Sequence, residues 1–203
     1  MMTTDTSLES SRDLSHSSFG HGRSAAMGHE AVGSSSTRLI TLRGNSGSGK
    51  SAVAAAVRAA RPFGTVAILG QDVIRRDILG SGDDAGGHPI GLIDLAGRYL
   101  LGRGFDVIIE GILNAKWYSQ ILPCLVADHR GVSRSYIYDL SFEETVRRHS
   151  TKPIAGAFGE AEMRQWYRGF QPIADLDEGV ITAGDSLDAT VARVLEDCWP
   201  RDS

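Results

Sequence analysis

Residues Gly44-Asn45-Ser46-Gly47-Ser48-Gly49-Lys50-Ser51 constrain this chain more than any other stretch. They fit the pattern G-x-x-x-x-G-K-[ST] at every defined position. Glycines at these places let a backbone curl until consecutive N–H groups point into one hollow, which suits phosphate oxygens. Lys50 is spaced to reach β- and γ-phosphates, and Ser51 to offer a hydroxyl to Mg2+. The flanks agree with this reading. Arg38-Leu39-Ile40-Thr41-Leu42-Arg43 is short and apolar with β-branched residues, and it reads as a buried strand. Ala52–Ala60 is rich in the best helix former. A helix starting at about Ser51 turns its positive end toward the same anion. A flexible Gly/Ser linker rarely sits between such a strand and such a helix. Of the 21 Lys and Arg residues only Lys50, Lys116 and Lys152 are lysine, so a lysine at the motif position is less easily accidental.

The chain has 203 residues, enough for one domain with a full core. A net charge of −4 offers no general attraction to nucleic acid, which weighs against a polynucleotide substrate unless a local basic groove exists. Cys124 and Cys198 are too few for a disulfide scaffold and lack metal-ligand spacing, so they read as reduced core residues of a cytoplasmic protein. No apolar run approaches a membrane span, and the N-terminus has no apolar core of the secretory-signal type. Residues 1–36 hold ten Ser and few large apolar side chains. Such a segment cannot bury enough surface to offset its ordering entropy and is expected to be a disordered tail, with no ligand geometry among His16, His21 and His29. The folded domain is then expected over 37–203, as a monomer or homodimer.

From Arg38 onward strand and helix signals alternate. Strands are expected at Leu39–Leu42, Thr65–Leu69, Val107–Glu110, Ser135–Asp139 and, more weakly, Val180–Thr182. Helices are expected over 51–60, 73–79, about 90–102, about 116–129, 142–149 and 187–198. Ser141 and Glu144 frame a capping box for the helix at 142, and Leu187, Val191, Val194 and Cys198 line one face of the last. This alternation implies an α/β three-layer fold: a five-stranded parallel sheet with helices on both faces. In such sheets ligands bind beyond the C-terminal strand ends. The notable polar residues fall there: the Gly44–Ser51 loop, Gln71-Asp72, Glu110-Gly111 and Asp139.

A phosphate loop alone indicates a nucleoside triphosphate. The N-K-x-D base-reading motif of GTPases is absent, and the third strand ends in Glu110 rather than an Asp-Glu pair. Glu110 can hold Mg2+ through water. Phosphoryl transfer to a hydroxyl needs a carboxylate that orients the nucleophile and takes its proton. Asp72, just beyond the second strand, lies across the cleft from the loop. Arg75 shares its helix face and suits an acceptor or a phosphate, whereas Arg76 is expected to point elsewhere, into solvent. Further on, Arg147, Arg148 and His149 end one helix. Glu160–Phe170, with Arg164 and Arg168, suggests a second. The pair reads as a lid over about 147–170 that brings arginines onto the transferring phosphate, with Arg148 and Arg164 ranked first.

Together these residues resemble the small P-loop kinases grouped with chloramphenicol phosphotransferase, zeta-type toxins and polynucleotide 5′-kinase. The resemblance runs from about Arg38 to Trp199. Asp72-x-x-Arg75 is similar to the D-x-x-R of polynucleotide kinase, where the Asp is the general base and the Arg assists at the acceptor. The stretch from Asp139 to His149, with Thr151-Lys152-Pro153, looks like a bacterial group called uridine kinase-like. The resemblance implies a P-loop kinase fold and an ATP- and Mg2+-dependent transfer to a small-molecule hydroxyl, with adenine between the lid base and the loop around Ala183–Ser186. A polynucleotide 5′-hydroxyl kinase and a nucleotide-gated binding protein without an acceptor are the alternatives. The segments Ser81–Gly91 and Gly111–Tyr118 are expected to shape the acceptor pocket.

Overall fold

Short, nearly continuous apolar runs, buried on both faces, carry the architecture. In the computed structural model, residues 30–81, 88–150 and 159–200 are described. Residues 1–29 of the expected tail, 82–87, 151–158 of the expected lid and 201–203 lie outside them. Five strands form one sheet: β1 (Arg38–Arg43), β2 (Val66–Gly70), β3 (Asp106–Gly111), β4 (Val132–Tyr138) and β5 (Glu178–Ile181). Their order is β2-β3-β1-β4-β5 and every pairing is parallel. Thr41 of β1 sits in register with Ile109 of β3 and Ser135 of β4.

Helices α1 (Lys50–Ala59), α2 (His88–Gly102), α3 (Ala115–Tyr118), α4 (Ile121–Asp128), α5 (Phe142–Ser150), α6 (Glu160–Trp166) and α7 (Leu187–Cys198) complete the described elements, with one π-helical turn at Val73–Ile78. Successive strand residues face opposite sides of the sheet. Ile40, Leu42 and Ile108 therefore pack with Val53, Val57, Val194 and Cys198 under α1 and α7. Leu39, Val107 and Ile109 pack with Ile93, Leu101, Leu122 and Leu125 under α2 and α4. The protein is thus a three-layer α/β fold with a core on each face of a buried parallel sheet.

Three local differences from the sequence reading have physical causes. The helix expected over 116–129 is broken into α3 and α4. Pro123 has no N–H to donate, and its ring collides with the carbonyl four residues back, which ends the first piece near Ser119. The helix expected over 73–79 is a π-helical turn, closed by Leu79 N–H donating to the Ile74 carbonyl at 3.0 Å. The chain also joins the fold earlier than residue 37: Val32 N–H donates to the Asp128 carbonyl at 2.9 Å, and Arg130 N–H to the Val32 carbonyl at 3.0 Å. No helix among the described residues is long and apolar enough to cross a membrane.

Candidate active site

β1 is the central strand, so the loop that follows it opens at the middle of the sheet's C-terminal edge. Gly44 leaves the strand with φ 152°, and a Cβ there would meet Tyr138 Cβ at 2.7 Å. Gly47 has φ 82°, and its Cβ would lie 2.5 Å from the Thr145 carbonyl oxygen of α5. Both positions need glycine, for conformation and for space. The curled loop delivers α1 with Lys50 as its first residue. Lys50, 7% exposed, folds back so that Nζ donates to the Asn45 carbonyl at 2.8 Å and to Ser48 Oγ at 3.1 Å. An ammonium held over the hollow of such a loop is positioned for a phosphate.

Ser51 Oγ donates to Glu110 Oε2 at 3.0 Å. The strand-end acid is therefore directed at the loop. A hydroxyl and a carboxylate side by side are hard oxygen donors of the kind Mg2+ takes, so these residues fit that ion.

Two hollows flank the loop. One, of about 390 Å³, is lined by Ser48, Gly49, Tyr138, Arg148 and the Ala183–Leu187 turn. Arg148 spans it: Nη1 donates to the Ser48 carbonyl at 3.1 Å and Nη2 to the Ala183 carbonyl at 3.3 Å. Its Nε donates to Glu144 at 2.6 Å, and Arg147 and Arg148 together hold the Glu144 carboxyl down to about 2. Ser141 Oγ caps α5 by accepting from Glu144 N–H at 3.2 Å, while the Glu144 carboxylate turns to the arginines.

The other hollow, of about 160 Å³, lies on the β2–β3 side and is lined by Ser46, Asp72, Arg75, Arg76, Trp166 and Arg168, among others. Asp72 makes no capping bond with its side chain. It meets Arg75 Nη2 at 3.2 Å instead, with the Arg75 side chain 10% exposed and that of Asp72 67%. The π-helical turn puts the two on one side. Tyr118, 1% exposed, packs close enough to feel both charges, and its burial pushes the phenol well above its usual range.

The residues expected to form a lid divide. Arg164 is exposed; it pairs with Glu160 at 2.9 Å and lies 4.0 Å from the Phe142 ring centroid, away from both hollows' linings. Arg168 lines the acidic–basic hollow in its place. Arg76, expected in solvent, also lines it and stacks over Trp166 at 5.7 Å. Asn45 was expected to bind phosphate as part of the loop, with no structural duty assigned to its side chain. Its Oδ1 accepts from Arg168 N–H at 2.8 Å and its Nδ2 donates to the Gly169 carbonyl at 3.0 Å. Arg43 was read only as the end of a strand. It is 2% exposed and forms a 2.6 Å ion pair with Glu178, while donating to the Leu113 and Gln171 carbonyls. Lys152 lies outside the described residues. A charged residue ending a buried strand was the available signal for Arg43. Asn45 carried none, because its partners lie more than 120 residues away.

No known family profile matches the chain, and no curated protein matches it in sequence. Solved structures do match in fold. The APS kinase of Mycobacterium tuberculosis, in complex with AMPPNP and APS, superposes with a TM-score of 0.61 at 18% identity, covering 79% of this chain and 96% of that one. A gluconokinase from Sinorhizobium meliloti gives 0.55 at 17%, covering 83% and 93%. A tunicamycin resistance protein from Deinococcus radiodurans gives 0.55 at 13%, covering 81% and 97%. The fold is that of the P-loop kinases.

Proposed function

We propose that this chain is an ATP- and Mg2+-dependent kinase that moves the γ-phosphoryl group onto a hydroxyl of a small molecule. The observation that carries the reading is Asp72, uncapped and paired with Arg75, in a hollow whose wall includes the phosphate loop's own Ser46. A carboxylate so placed faces an acceptor at the point where the loop presents the donor.

In this reading the nucleotide base and ribose occupy the hollow between Arg148 and the Ala183–Leu187 turn. The loop N–H groups and Lys50 hold the phosphates. Ser51 and Glu110 would hold Mg2+, which supplies charge neutralisation across the phosphate oxygens. Asp72 accepts the acceptor's hydroxyl proton as the new O–P bond forms and the bond from the γ-phosphorus to its bridging oxygen breaks, leaving ADP. Arg75 keeps Asp72 aimed, through their 3.2 Å contact. Arg148 and Arg168 face the site from the lid's two ends.

The test is ATP consumption against nucleosides, sugars and antibiotics, with mass spectrometry for an added phosphate. Lys50→Ala should abolish turnover. Asp72→Asn should lower kcat by about 10²–10⁴-fold with little change in ATP affinity. Slow hydrolysis that no acceptor stimulates and that ignores Asp72→Asn would make the chain a nucleotide-gated binding protein instead. Labelling of an oligonucleotide 5′-hydroxyl would make it a polynucleotide kinase.

A further inference from the structure

Leu113 has a φ of 40°, the one positive value at a residue other than glycine among the described residues. A leucine in the left-handed region is strained, and it persists only where its surroundings over-determine it. Three holds do so here. Its side chain is 0% exposed, in the core cluster with Ile74, Ile93 and Leu122. Its N–H donates to Gln71 Oε1 at 2.9 Å, from the residue that follows β2. Its carbonyl accepts from Arg43 Nε at 3.0 Å, from the end of β1. β3 lies between those two strands, so the backbone beyond it is gripped from both neighbours at once.

Gly111 makes room for the grip. Gly70 of β2 pairs with Glu110 of β3, so Gln71 and Gly111 leave the sheet side by side. A Cβ at Gly111 would meet Gln71 Cβ at 2.5 Å and Gln71 Oε1 at 2.6 Å. The glutamine side chain occupies the space that a larger residue would fill, and it ends on the strained peptide.

The position of this grip gives it a use. Ile112 and Asn114, on either side of Leu113, line the 160 Å³ hollow together with Asp72 and Gln71 itself. Asn114 Oδ1 accepts from Lys116 N–H at 2.9 Å, which sets the orientation of that amide. Gln71 is also the residue before Asp72. One side chain therefore ties the backbone that carries the carboxylate to the segment that carries Ile112 and Asn114. Without the bond, Leu113 is free to relax toward negative φ and to turn both neighbours away from Asp72. The hollow lined by Arg148 and the Ala183–Leu187 turn includes none of these residues.

We propose that Gln71 is a positioning residue for the acceptor: through the Leu113 N–H it fixes Ile112 and Asn114 against Asp72, and so sets the width of the hollow that receives the hydroxyl-bearing substrate. This rests on the kinase reading above.

The experiment compares the full chain with Gln71→Met and Gln71→Glu. Methionine keeps the length of the side chain without a strong acceptor, whereas glutamate keeps an oxygen for the same N–H. The acceptor probes are the nucleosides, sugars and antibiotics of the turnover screen, with ATP and acceptor varied separately. Gln71→Met should raise the acceptor KM at least tenfold, lower kcat by less, and leave the KM for ATP within twofold. Gln71→Glu should recover most of that loss. Hydrogen exchange with AMPPNP and Mg2+ bound gives a readout besides turnover. The Leu113 amide should exchange at least tenfold faster in Gln71→Met and close to the wild-type rate in Gln71→Glu, while β1 and β3 keep their protection. A role in stability alone would loosen the whole sheet and would not split the two KM values. That result, an unchanged acceptor KM in Gln71→Met, or a Gln71→Glu protein no better than Gln71→Met overturns the inference and leaves the kinase standing. If no acceptor gains a phosphate from the wild-type chain, the kinase reading falls, and the role of Gln71 with it.

Discussion

Arg168 is bonded through its backbone to Asn45: its N–H donates to Asn45 Oδ1 at 2.8 Å, and the same side chain's Nδ2 reaches the next carbonyl, that of Gly169. Asn45 is 4% exposed. One amide thus joins the second residue of the phosphate loop to the segment leaving α6. The backbone at Arg168 and Gly169 is therefore held by a residue of the loop.

Asn45→Ala should uncouple them. It strands an N–H and a carbonyl, at a cost of about 1–3 kcal/mol. In the kinase reading the acceptor KM should rise with a smaller change in ATP affinity, because the loop's Gly47, Gly49 and Lys50 are untouched. Steady-state kinetics with both substrates varied separates the two. An unchanged acceptor KM would count against the coupling.

Gly47→Ala is expected to be more damaging than its size suggests. The added methyl would stand 2.5 Å from the Thr145 carbonyl and 2.9 Å from Met163 Cε, at a φ of 82°. The backbone of α5 must retreat from the loop, and the Met163 side chain of α6 must shift. Fluorescent nucleotide binding should weaken at least tenfold, and α6, which buries only Met163, should gain hydrogen exchange before the sheet does.

The buried ion pair beneath the loop should be costly to halve. Arg43 and Glu178 side chains are 2% and 3% exposed, and Glu178 also accepts from Ile173 N–H at 2.7 Å. Removing one partner leaves an uncompensated charge, so Arg43→Met and Glu178→Gln should each lose about 3–5 kcal/mol in urea unfolding. The paired replacement Arg43→Met with Glu178→Leu should recover part of that loss.

Stability should fall on mild acidification. His129 is buried between Thr37 Oγ1 and Ser133 Oγ, each at 2.9 Å. Burial and then the charge of Arg38 hold its imidazolium form below the usual range. The unfolded chain binds a proton at about 6.5 that the fold resists. The contribution is therefore neutral above about pH 6.5 and increasingly unfavourable as pH falls through that value toward the lowered folded pKa. His129→Gln should flatten the pH 5–7 stretch of the stability curve measured by thermal melting.

What was legible in the chain is what depends on neighbours in sequence. The five strands announce themselves as short apolar runs, and the loop before Lys50 as an ordered set of glycines. Asp72 and Arg75 stand three apart, so one turn of chain brings them together. Helical spacing would put Arg164 and Arg168 on one face, yet α6 ends at Trp166; Trp166 and Arg168 line the hollow, while Arg164 pairs with Glu160. Asn45, Arg43 and the stacking of Arg76 on Trp166 depend on partners from 90 to more than 130 residues distant, and no local pattern encodes those. The π-helical turn escaped because π and α turns share composition, and the choice between them is made by the strand ends they must join.

The phosphate loop is also a partition. Ser46 faces the hollow beside β2 and β3, while Ser48 faces the one beside β4 and β5. In the kinase reading, nucleotide and acceptor enter on different flanks, and that layout predicts random-order binding, in which neither partner waits for the other to build its seat.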